Sequence, residues 1–272
     1  MQKIQTNRTD IEVFVLSAGK YYADAGAAMG VLPYKLWHDK IKYDESHRIL
    51  LELNCLLLKT PQKNILVDTG IGEYLSEKHT KIYAPTKFQL LYELALVGLD
   101  KGDINLIAFT HLHFDHAGGI INSAKELIFE NAKYIVQKDE WDTAMNPDTL
   151  NKASYSINEH YQILAQSNLV ETIEGNHEIA DNVLLKKVGG HCVGMQVLSI
   201  DDQGEVIYFA GDIFPSRFHL NPSVTSAYDI CREKVCKEKI RIKDELIKKG
   251  GKLILGHEMQ VIDSQEKSIS VK

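Results

Sequence analysis

Residues 111–119 read His-Leu-His-Phe-Asp-His-Ala-Gly-Gly. Three imidazoles and a carboxylate fall within six positions, directly after Ile104 to Thr110, an apolar run of the kind that forms a buried strand. Neutral imidazoles and carboxylates are the donors that borderline ions such as zinc prefer. From an extended or turned backbone His111 and His113 can point the same way. Asp115 and His116 can reach a second position from the next turn, and the glycines behind them let the backbone bend closely around bound ions. A single histidine is commonly a surface or hydrogen-bonded residue. Four metal-capable groups this close together are not explained that way.

Further donors must come from far along the chain. His191 lies in Gly189-Gly190-His191-Cys192-Val193-Gly194, between two expected strands. Asp212 follows the strand-like run Val206 to Ala210, and His257 follows Lys252 to Gly256. Asp68 closes Ile65 to Asp68, in Leu66-Val67-Asp68-Thr69-Gly70. Each signal is weak alone. Together, polar residues at the ends of the strands before Asp68, His111, Asp212 and His257 indicate one site along one edge of a layered α/β domain.

The rest of the chain is consistent with such layers. Ile11 to Leu16 reads as a strand, and Ala23 to Gly30 as a loop because two glycines fall within it. Ile49 to Lys59 and Ile65 to Asp68 form a hairpin pattern across the turn Thr60 to Asn64. Phe88, Leu91, Leu94, Ala95 and Leu99 recur at helical spacing. A short helix is expected over Gly119 to Leu127, a strand at Tyr134 to Val136, and helices over Lys138 to Met145 and around His160 to Ala165. Val183 to Val188, Met195 to Ile200 and Val206 to Ala210 read as successive strands, the last two joined by the turn Asp201 to Gly204. Asp229 to Lys249 is a charged helical stretch, and Lys252 to Gly256 is the last expected strand. No linker, composition shift or tandem repeat divides the chain, so residues 1–272 are expected to form one domain.

Composition narrows the function classes. With 31 Lys and Arg against 37 Asp and Glu, the net charge of −6 gives no support to a phosphate-backbone binder, so no nucleic-acid partner is expected. No run of 18 apolar residues exists, so no membrane span is expected. Met1 to Val15 lacks the apolar segment of a signal peptide. Cys55, Cys192, Cys231 and Cys236 make no CxxC pair and no disulfide framework. Both point to a cytoplasmic protein whose partner is a small molecule.

These segments together resemble the metallo-beta-lactamase fold superfamily of hydrolases, and within it the quorum-quenching N-acyl-homoserine lactonases. The resemblance is carried by the 111–119 run, the ordered later His, Asp and His, Ala28-Met29-Gly30-Val31-Leu32-Pro33 with Trp37, and Gly211-Asp212-Ile213-Phe214-Pro215 with His219 and Tyr228-Asp229. It implies a four-layer αβ/βα sandwich with two divalent ions, most simply Zn2+, at one edge. By motif, His111, His113 and His191 are the implied ligands of one ion, and Asp115, His116 and His257 those of the other. Asp212 is the implied bridge, and Asp68 the support for the ligating histidines.

The implied reaction is metal-assisted opening of a lactone ester, with Asp115 shuttling the proton and Asp212 as the second catalytic carboxylate. An arylesterase or organophosphate hydrolase would use the same chemistry. Met29, Leu32, Trp37, Phe114 and Phe214 are the candidates for an apolar mouth, and His219 and Tyr228 for polar contacts to substrate. The better-known lactonases carry a tyrosine shortly after the bridging aspartate. Here that stretch is Ile213-Phe214-Pro215-Ser216, so another donor is needed. The apolar loop around Met29 would serve either as a substrate lid or as a homodimer contact.

Overall fold

The computed structural model describes residues 1–270. Its frame is two sheets packed face to face. The first has seven strands in the sequential order β1 (Gln2–Ile4), β2 (Glu12–Asp24), β3 (Arg48–Lys59), β4 (Asn64–Val67), β5 (Ile104–Ala108), β6 (Lys133–Gln137) and β7 (Val170–Ile173). Strands β1 to β4 pair antiparallel, and β4 to β7 pair parallel. The second sheet has six strands, β8 (His177–Ala180), β9 (Val183–Lys187), β10 (Gln196–Asp202), β11 (Glu205–Phe209), β12 (Gly251–Ile254) and β13 (Val261–Asp263). Its one parallel pair is β11 with β12.

Strand periodicity explains the layering. Successive side chains face opposite sides of a sheet, and here both sides are apolar. Val13, Val15, Leu56, Leu58, Ile65 and Val67 face the second sheet, where they meet Leu198, Ile200, Ile207, Phe209 and Ile254. The alternate residues Phe14, Leu16, Leu57 and Leu66 face outward into a second core. That outer face is covered by α3 (Leu90–Leu96), α5 (Lys138–Met145) and α6 (Asn158–Gln166), through residues such as Leu90, Leu94, Ala144, Tyr161 and Leu164. The two short helices before α3 in the chain are α1 (Ala25–Met29) and α2 (Glu77–Tyr83), and α4 (Phe114–Ala117) lies between β5 and β6. The outer face of the second sheet is covered by α7 (Arg232–Lys249), whose Val235, Ile242 and Leu246 pack on Val197, Tyr208 and Leu253. Each such side chain contributes about 1.5–3 kcal/mol relative to exposure. The result is the expected αβ/βα sandwich, two packed sheets with helices on their outer faces.

Several expectations are corrected. Ala23 to Gly30 is not a loop: β2 runs to Asp24, and a five-residue helix, α1, follows it. Asp24 caps that helix by accepting from the Ala27 N–H at 2.7 Å, and the alanines offset the glycine. No helix forms over 119–127. A single tight turn, Gly118–Ile120, gives way to a bridge between Ile121 and Leu127. Within the segment, Asn122 turns the chain instead, its Oδ1 accepting from the Ala124 and Glu126 N–H groups, and Lys125 takes a positive φ of 63°. The helix expected from Phe88 begins only at Leu90, because the N–H groups of Thr86 and Gln89 pair with β2. Strands β1, β7, β8 and β13 and helix α2 were not expected. Among the described residues, no helix is long and apolar enough to cross a membrane.

Candidate metal centre

The parallel strands deliver the polar residues to one edge. Asp68 follows β4, His111 follows β5, Asp212 follows β11 in a short turn, and His257 follows β12. His191 comes from the loop between β9 and β10. His113 caps α4, which carries Asp115 and His116 inward; all three are buried.

The hydrogen bonds behind these side chains decide which ring atoms face the centre. His116 donates from Nδ1 to Asp68 Oδ2 at 2.9 Å, and His257 from Nδ1 to the Glu52 carbonyl at 2.8 Å. His191 donates from Nδ1 to Asp229 Oδ1 at 2.7 Å. Thr110 gives its hydroxyl proton to Asp68 Oδ2 and lies 3.1 Å from His111 Nδ1, whose proton it can therefore accept. Each of these four imidazoles thus has its outer nitrogen engaged and turns Nε2 toward the centre, where it serves as a ligand atom once its proton is released. Asp68 is the hub of this support, since it also accepts from the Thr110 N–H at 2.7 Å.

The inward atoms then meet in a way that protein groups alone do not favour. His116 Nε2 and His257 Nε2 stand 3.2 Å apart. His191 Nε2 lies 3.1 Å from His113 Nδ1 and 3.1 Å from Asp212 Oδ2. Asp212 Oδ1 is 2.9 Å from His257 Nε2, yet it and His111 Nε2 are buried without a well-formed hydrogen bond. Three sets, His111 with His113 and His191, His111 with His116 and Asp212, and Asp115 with His116 and His257, have donor atoms all within 4.8 Å of one another. Orphaned, converging nitrogen and oxygen donors fit divalent cations, and they form a binuclear metal site suited to hydrolase chemistry.

The electrostatics agree. Burial and the neighbouring imidazoles push His111 and His113 well below the usual histidine range, so both are neutral donors. Burial also opposes charging of His191, but the Asp212 and Asp229 carboxylates outweigh it and push it up to about 10. His116 and His257 are raised for the same reason, chiefly by Asp115 and Asp212 for the former and Asp212 for the latter. A cation satisfies those carboxylates in place of the extra protons, which is how metal binding and protonation compete.

The sequence matches the model of the metallo-beta-lactamase superfamily over residues 50–257. The chain belongs to that superfamily. Among curated relatives of this superfamily member, an N-acyl homoserine lactonase of a Bacillus species is 31% identical over 196 residues, covering 67% of this chain and 70% of that protein. The lactonase of Bacillus thuringiensis is 31% identical over 161 residues, but the match spans only 58% of its length. A probable metal-dependent hydrolase from Staphylococcus aureus has the same fold, with a TM-score of 0.89 at 30% identity, covering 97% of this chain and 95% of that one. A dizinc quorum-quenching lactonase solved with a product superposes with a TM-score of 0.77, covering 94% and 90%, at 22% identity. The superfamily fold and its close resemblance to known quorum-quenching lactonases are therefore clear.

In this superfamily member the donor cluster forms the floor of a cavity of about 230 Å³. Met29, Phe114, His219 and Tyr228 line it, while Leu32, Trp37 and Phe214 do not. Trp37 is buried against Ala28, Met29 and Ile49, and its indole N–H donates to the Leu32 carbonyl, so this pair backs the cavity wall from behind. Phe214 belongs to the core under α7. His219 donates from Nε2 to the Ala28 carbonyl at 3.0 Å and accepts from Ser216 at Nδ1, so both ring nitrogens are engaged and the ring ties its own turn to α1. Burial lowers it to about 3, and it stays neutral.

Three residues escaped the sequence reading. Tyr21 lines the cavity and donates to Asp115 Oδ2 at 2.6 Å. Tyr83 packs on Phe114 with ring centroids 4.6 Å apart and planes tilted by 35°, and Glu140 lies buried behind the ligand loops. Tyr21 shares a face with Phe14, Leu16 and Ala23 only because a bulge between Ser17 and Lys20 shifts the alternation of β2.

Proposed function

We propose that this protein is a lactonase that hydrolyses the ring ester of N-acyl homoserine lactones or related lactones, with two zinc ions as cofactors. His111, His113 and His191 would hold one cation, Asp115, His116 and His257 the other, and Asp212 would lie between them. Bound there, the pair supplies Lewis acidity and a water acidified toward a pKa of ~7. The remaining work falls to the chain. Asp115, oriented by Tyr21, accepts a proton at a carboxylate oxygen and passes it to the departing ring oxygen. With no cation bound, the His257, His191 and His116 charges outweigh burial and hold Asp212 well below the usual carboxylate range; bound cations would take over that role. Ala23, Ala28, Met29, Ile49 and Leu51 form an apolar wall that takes an acyl tail and excludes water from the reacting ester.

The observation that carries this reading is the pairing of a nitrogen and oxygen floor with an apolar wall in one cavity. Tyr21, Tyr83, Phe114 and Tyr228 give the same cavity an aromatic side, which favours the alternative of an arylesterase or organophosphate hydrolase. A pH-stat assay across acyl-homoserine lactones, unsubstituted lactones, aryl acetates and paraoxon separates them. The reading predicts that acyl-homoserine lactones are opened with the highest kcat/KM. Preference for the aryl ester or the phosphotriester would transfer the assignment to the alternative.

A further inference from the structure

We propose that Glu140 is a positioning residue that sets the spacing of His111, His113 and His191, and through it the affinity of one of the two cations. The inference rests on the reading that these imidazoles hold one ion, and it assigns a task to a carboxylate that touches none of them. Glu140 is fully buried in the first turn of α5. Its Oε1 accepts from the Leu112 N–H at 2.9 Å and from the Tyr155 hydroxyl at 2.8 Å, and its Oε2 accepts from the Gly194 N–H at 3.0 Å. Leu112 is the residue between His111 and His113. Gly194 lies on the same short loop as His191. One carboxylate therefore clamps the two loops that contribute this set of imidazoles, although they are far apart in sequence.

The surroundings fix the clamp. A Cβ on Gly194 would stand 2.3 Å from Glu140 Cβ, so only glycine lets the His191 loop come this close to α5. The Leu112 peptide is held at its other end by the Tyr161 hydroxyl, which donates to the Leu112 carbonyl. The Tyr155 ring meets His113 edge-on at 5.0 Å, so the same tyrosine that holds Glu140 also fixes the His113 ring. The Leu112 N–H, Gly194 N–H and Tyr155 hydroxyl are all donors, and a carboxylate is the side chain that accepts from all of them at once. An amide of the same shape would turn its NH2 toward one backbone N–H and release one loop. Groups that orient metal ligands from behind typically change metal affinity by about 10- to 100-fold when altered.

The test is metal titration of chelator-stripped protein against a zinc buffer, for wild type, Glu140→Gln, Tyr155→Phe and His191→Ala. Wild type is expected to bind two ions in resolvable steps, and His191→Ala identifies the step that depends on this set. Glu140→Gln should weaken that step about 10- to 100-fold and leave the other within a few-fold, with an unchanged circular dichroism spectrum. Tyr155→Phe keeps the carboxylate and loses one donor, so it should weaken the same step less; it carries the test if Glu140→Gln does not fold. Two steps that stay unchanged, or that weaken equally in both variants, would overturn the proposal as a merely structural role. Fewer than two ions in the wild type would instead overturn the underlying reading, and the proposal with it.

Discussion

The Tyr21 hydroxyl donates to Asp115 Oδ2 at 2.6 Å, joining β2 to α4 across 94 residues on the wall of the cavity. Burial, reinforced by the Asp115 and Asp212 charges, pushes the Tyr21 phenol well above its ordinary value, so it remains a donor at any working pH. It holds one carboxylate oxygen in place while leaving the ring packed edge-on against His257 at 5.7 Å. Tyr21→Phe removes only the oxygen. A hydrogen bond to a charged group is worth about 1.5–3 kcal/mol, so kcat should fall about 10- to 100-fold with bound metal unchanged. A kcat within twofold of wild type would remove Tyr21 from the account.

Asp68 offers a sharper view of the support behind the ligands. Its carboxylate accepts from the Thr110 N–H, the Thr110 hydroxyl and His116 Nδ1. Asp68→Asn puts an amide where three donors converge, and one of them loses its partner. Either the NH2 turns against the Thr110 N–H and loosens the strand end that carries His111, or it turns against the Thr110 hydroxyl and His116 Nδ1 and leaves that ring without a fixed acceptor. Metal affinity should drop about 10- to 100-fold, read as metal retained after dialysis against a weak chelator. Retention equal to wild type would show that Asp68 does not orient His116.

The donor cluster was legible in the sequence because its members sit where strands end and glycines begin. His111, Asp212 and His257 each follow an apolar run, and parallel pairing of β4 with β5 and of β11 with β12 brings those ends to one edge. The cavity wall was less legible. Trp37 and Phe214 are large and apolar, and such residues are usually buried; nothing local tells which buried aromatic faces a cavity. Tyr21 and Glu140 were missed for a related reason. Their partners lie in other elements, so no spacing within β2 or α5 announces them. The short strands β1, β7, β8 and β13 are the four sheet edges and carry too few residues to show a period.

Helix α7 buries two lysines along its apolar stripe, Lys239 and Lys243. Lys239 donates to the Val224 carbonyl and lies over the Phe214 ring, and burial lowers its pKa to about 7. The folded pKa is below that of the unfolded chain, so between about 7 and 10.5 the unfolded state binds more protons. Stability from this group therefore rises with pH across that window and is lowest below pH 7. Lys239→Met removes the slope: its stability relative to wild type should be greatest near pH 6 and decline toward pH 10, by on the order of a few kcal/mol. Urea unfolding at several pH values checks it, and a pH-independent difference would contradict it.

Asp212 touches both halves of the cluster, lying 3.1 Å from His191 Nε2 and 3.3 Å from His116 Nε2. Asp212→Asn keeps the shape and removes the charge. Occupancy of both ions should fall together, measured by elemental analysis after gel filtration. Loss of one ion with full retention of the other would remove the bridging role.

The most direct measurement is the metal content of the purified protein, determined alongside lactone hydrolysis before and after chelation. The account predicts two divalent ions per chain, loss of lactone opening when both are stripped, and its return when they are restored. One ion or none per chain in active protein, or lactone opening that survives complete chelation, would contradict it.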